Sequence, residues 1–149
     1  MNDLGCHPER LGSPPRDALV CRTPDADAVP MQVGSPWAVR SREVFVIEQR
    51  VLVSALRIAT DVDTYAPPEG VPTSVASAPA FALAVEVDGA SLVVREASTG
   101  DCDRESKPPV CSTGEPCRGP DYAGAVTTVC ASRGRYELQG THLVRTSPR

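Results

Sequence analysis

The late cysteines constrain this chain more than any other feature. Cys102, Cys111, Cys117 and Cys130 punctuate its last third, with eight, five and twelve residues between neighbours. None of the cysteines stands at the two-residue separation that lets paired thiolates grip one zinc ion. An even count at wide, irregular spacing in Gly/Pro-rich sequence points instead to crosslinks that hold loops on a small core. Cys6, Cys21, Cys102, Cys111, Cys117 and Cys130 are therefore all disulfide candidates. Spacing does not fix their connectivity; the preferred arrangement pairs Cys6 with Cys21 and leaves the later four to bridge among themselves. Free structural cysteines, or zinc held by some of these thiolates with His7 or His142, are the competing readings.

Crosslinks also suit what the chain has for a core. Its 149 residues fit one domain, and 41% are apolar, but only 4% are aromatic. The interior must be built from Val, Leu, Ile and Ala, each burying less area than Phe or Trp. Fifteen prolines and eleven glycines break the chain into short elements. A disulfide adds roughly 2–4 kcal/mol, which offsets a thin core. A net charge of −4 without a basic run repels phosphate backbones, so nucleic acid is not an expected partner. Lys107 is the only lysine. No stretch approaches the ~20 apolar residues of a membrane-spanning helix; the longest uncharged one, 70–85, is interrupted by Pro72 and Pro79.

Residues 1–40 carry Pro8, Pro14, Pro15, Pro24, Pro30 and Pro36 and read as an irregular Pro-rich arm, with Trp37 as the anchor where the chain enters the core. The remainder, 41–149, reads as a single β domain with a Cys-rich loop at 98–124. Val44, Phe45, Val46, Ile47, Val51, Leu52 and Val53 are mostly β-branched and predict one long strand or two short ones within 43–60. Phe81, Leu83, Val85 and Val87 alternate up to Asp88-Gly89, and Leu92, Val93 and Val94 follow, which predicts a hairpin. Residues 125–130 read as a further strand, and 136–144 as a last one bulged at Gly140.

Other constellations are weaker. Asp101, Asp103 and Glu105 alternate in what reads as a loop, but lack the glycine and distal glutamate of a twelve-residue calcium loop; a solvated acidic loop is preferred and no metal is assigned. No Gly-x-Ser-x-Gly elbow, phosphate-binding glycine loop or paired-histidine motif occurs. His142 reads as a half-exposed strand residue. Between Cys111 and Cys117, Ser112, Thr113, Glu115 and Pro116 would form a rigid recognition loop if the ends were bridged.

The expected fold is mostly β: a small antiparallel sandwich or open barrel, with the irregular N-terminal arm and a disulfide-stapled loop region. The expected role is non-catalytic, structural or binding, in an exported or surface-associated protein with a protein or cell-surface partner and no cofactor. One alternative is a disulfide-constrained inhibitor or ligand presenting loop 111–117. Another is a metal-binding or enzymatic domain using Cys, Asp and His. The start, Met1 to Cys6, lacks a charged segment followed by an apolar one, so the expected extracytoplasmic location requires a leader upstream or another route. Gly5-Cys6 faintly resembles the end of a lipoprotein signal, although Asp3 argues against it.

Overall fold

The computed structural model describes residues 5–23, 29–30, 37–64, 80–106 and 119–147. Its strands are β1 (Cys6–Leu11), β2 (Arg16–Arg22), β3 (Val29–Pro30), β4 (Trp37–Glu48), β5 (Val51–Thr64), β6 (Phe81–Asp88), β7 (Ser91–Glu96), β8 (Gly134–Gln139) and β9 (His142–Ser147). Two helices, α1 (Asp101–Glu105) and α2 (Gly119–Cys130), lie between β7 and β8. The strands form one antiparallel open sheet with neighbours in the order β1-β2-β4-β5-β6-β7-β8-β9. Short β3 joins the same edge of β4 as β2, nearer the start of β4. The mostly β expectation holds.

Sidedness explains which residues line the core. Cross-strand partners project to the same side of a sheet, and alternate residues along a strand to opposite sides. Ala18 faces Val46 and Val20 faces Val44, and all four are 0–2% exposed. Along β4–β5 the register slips twice, between Arg40 and Ser41 and between Val44 and Phe45. Each slip leaves one extra residue on β5, Thr60 and Ala55, as in a β-bulge. Both extra residues are buried.

The open sheet curls until its turns meet. Gly12, between β1 and β2, donates its N–H to Ala90 O between β6 and β7 at 3.0 Å. Arg16 donates to Gly140 O, between β8 and β9, at 2.6 Å. Position 12 calls for glycine because its φ is +88°; a Cβ there would also press on Leu138 Cδ2, at 3.0 Å. The β6–β7 hairpin forms as the alternation predicts, with its turn one residue later than expected, at Gly89-Ala90.

Three local expectations are corrected. Residues 6–22, expected within an irregular arm, form β1 and β2, paired through six positions from Cys6↔Cys21 to Leu11↔Arg16. Here Pro8 stands on the outermost strand of the sheet order, where a missing ladder N–H costs little. Residues 125–130, expected as a strand, belong to α2. Tyr122, Val126 and Val129 recur at helical spacing and are buried, while Thr127 and Thr128 face solvent. The two threonine hydroxyls donate to the Ala123 and Gly124 carbonyls four residues back, both at 2.9 Å, which places these β-branched residues in a helix without idle polar groups. Gly140, expected as a bulge, is instead in the β8–β9 turn with φ +64°. α2 packs against β4, β5 and β6, and Trp37 meets Tyr122 edge-on with ring centroids 4.8 Å apart.

Candidate functional site

Charge concentrates at one end of β2, β4 and β5, on the side of the sheet that Val44 and Val46 share. Arg22 is opposite Arg42, and Arg40 is opposite Asp61, with Asp63 two residues further on β5. The register therefore brings three guanidinium and two carboxylate groups to one side of the sheet. Arg22 lies 3.1 Å from Asp61 and 3.9 Å from Asp63; Arg42 lies 3.6 Å from Asp61; Arg40 lies 3.1 Å from Asp63. The Asp61 side chain is 1% exposed and that of Asp63 13%, whereas that of Arg22 retains 38%. Burying a carboxylate costs several kcal/mol unless it is paired; the surrounding arginines supply opposite charge, while neither Asp61 oxygen accepts a hydrogen bond among the described residues. Arg22 is the most exposed of the three arginines. The cluster locks β2, β4 and β5 together and can act chemically as an electrostatic clamp. The sequence carries one signal of this cluster: Asp61 and Asp63 stand at even spacing beside β-branched residues, a costly place for solvated charge.

The second concentration lies on the outer face of β1, β2, β4 and β5. Pro8 is opposite Leu19, Leu19 is opposite Phe45, and Ile47 is opposite Leu52. Ile47 is 39% exposed and Leu52 is 50% exposed; Val51, at the tip of the same hairpin, is 59% exposed. The connecting residues Gln49 and Arg50 both have positive φ, +50° and +67°. A two-residue hairpin turn of this kind favours Asn-Gly, so bulky residues there store strain, of order 1–3 kcal/mol each.

The disulfide candidates divide into two groups. Cys6 and Cys21 are bonded, face each other in the β1–β2 register and have Cα atoms 4.0 Å apart. Cys102 and Cys130 are also bonded, joining α1 to the end of α2 with Cα atoms 6.1 Å apart. Glu96 flanks this second bond: it accepts the Cys102 N–H at 2.6 Å and an Arg133 N–H at 3.1 Å, while Arg133 Nε donates to Cys130 O at 2.9 Å. Cys111 and Cys117, and with them Ser112, Thr113, Glu115 and Pro116, lie outside the described residues.

The remaining candidates are separated. Asp101, Asp103 and Glu105 are on α1 rather than in a loop; Asp101 pairs with Arg104, and Glu105 accepts from Tyr122 at 2.8 Å. His7 is on β1, 3.2 Å from Glu9, and His142 is exposed on β9. Among the described residues no group of three or more His, Cys, Asp or Glu side chains is arranged to hold a metal ion. No helix among them is long and apolar enough to cross a membrane.

Together these features define a disulfide-bonded antiparallel β protein with an internal charge clamp. Comparison with protein-family models, curated proteins and solved structures finds no match to this chain.

Proposed function

We propose that this is a non-catalytic, extracytoplasmic β domain with a structural or binding role. The observation that carries the reading is the pair of formed disulfides, Cys6–Cys21 and Cys102–Cys130. Such bonds persist in oxidising compartments and are rare where glutathione keeps thiols reduced. The placement of charge favours the same reading. The buried carboxylates face arginines, and Glu96 is engaged by backbone and Arg133, so these groups act as structural ties. Apolar side chains on the outer face supply a surface suited to contact with a protein.

Thiol trapping in intact producing cells tests the proposal. The chain is alkylated before lysis, then reduced and alkylated with a second reagent of different mass. The four cysteines of the two bonds should take up only the second reagent, and each bond should lower the non-reduced mass by ~2 Da. Uptake of the first reagent at Cys6, Cys21, Cys102 and Cys130 in the cell would place the chain in a reducing compartment and overturn the extracytoplasmic reading.

A further inference from the structure

We draw no further inference here: the strongest candidate, the apolar patch of Pro8, Leu19, Phe45, Ile47 and Leu52 on the outer face of β1, β2, β4 and β5, is flanked by Arg10–Asp17 and Glu43–Arg57 pairs that close within the chain, so nothing in the structure shows what covers it.

Discussion

The two disulfides join regions that depend on them in different ways. Cys6–Cys21 links neighbouring strands already paired from Cys6↔Cys21 to Leu11↔Arg16. Cys102–Cys130 links two helices that share no strand ladder, across a separation of 28 residues rather than 15. The first reinforces contacts that backbone hydrogen bonds also make. The second, with Glu96 and Arg133 beside it, gathers a short helix onto the core where no ladder can. A covalent bond thus matters most to native order where hydrogen-bond periodicity is absent, even though both bonds restrict the unfolded chain.

Removing each bond tests that contrast. Chain-entropy scaling puts the cost of Cys102→Ser with Cys130→Ser at about 3.6 kcal/mol, read by urea unfolding. Amide exchange in α1 should rise sharply, while β1–β2 stays protected. The corresponding Cys6→Ser with Cys21→Ser should cost about 3 kcal/mol in the same measurement. Its β1–β2 ladder should remain protected in the native state; rapid exchange there would show that the two regions do not differ as argued.

Polar rather than covalent ties give the next effects. Asp61→Asn removes the buried counter-charge beside Arg42 and leaves Arg22 with Asp63 alone, 3.9 Å away. The loss should be about 2–3 kcal/mol, discounted from the fully buried case because the arginines are partly exposed. Thermal unfolding should detect it, and an unchanged midpoint would remove the clamp from the account. The smallest expected effect is favourable. Gln49→Asn with Arg50→Gly relieves the positive-φ turn and should stabilise by about 1–2 kcal/mol. No gain in that variant would mean that the tip of β4–β5 stores no strain.

How much of this was legible depended on how local the signal was. Alternation within 81–94 predicted the β6–β7 hairpin because its pairing is between near neighbours. The β-branched run in 43–60 likewise predicted strands, but not the turn at Gln49-Arg50, where neither residue favours positive φ. In α2 the Val-Thr-Thr-Val segment was misleading: β-branching suggested a strand, while burial of Tyr122, Val126 and Val129 against the sheet selected a helix. Prolines made 1–40 read as irregular, yet β1 accommodates Pro8 in the outermost strand. The Arg–Asp cluster was illegible for a different reason. Its members come from β2, β4 and β5, and only the register of three strands brings them together.

The paired bulges of β5 make its sidedness a matter of parity. One extra residue exchanges odd for even numbers on a given side of the strand, and a second exchanges them back. Val53 and Asp61, both odd-numbered, therefore share the side of Val46 and Arg40, while Leu56 and Ile58 hold that side between them. Deleting Thr60 alone would close its slip and leave Ala59 and Asp61 on the sides that Ser41 and Arg40 set. A single deletion should accordingly be tolerated in register at Thr60 or Ala55, and not at the paired positions between them.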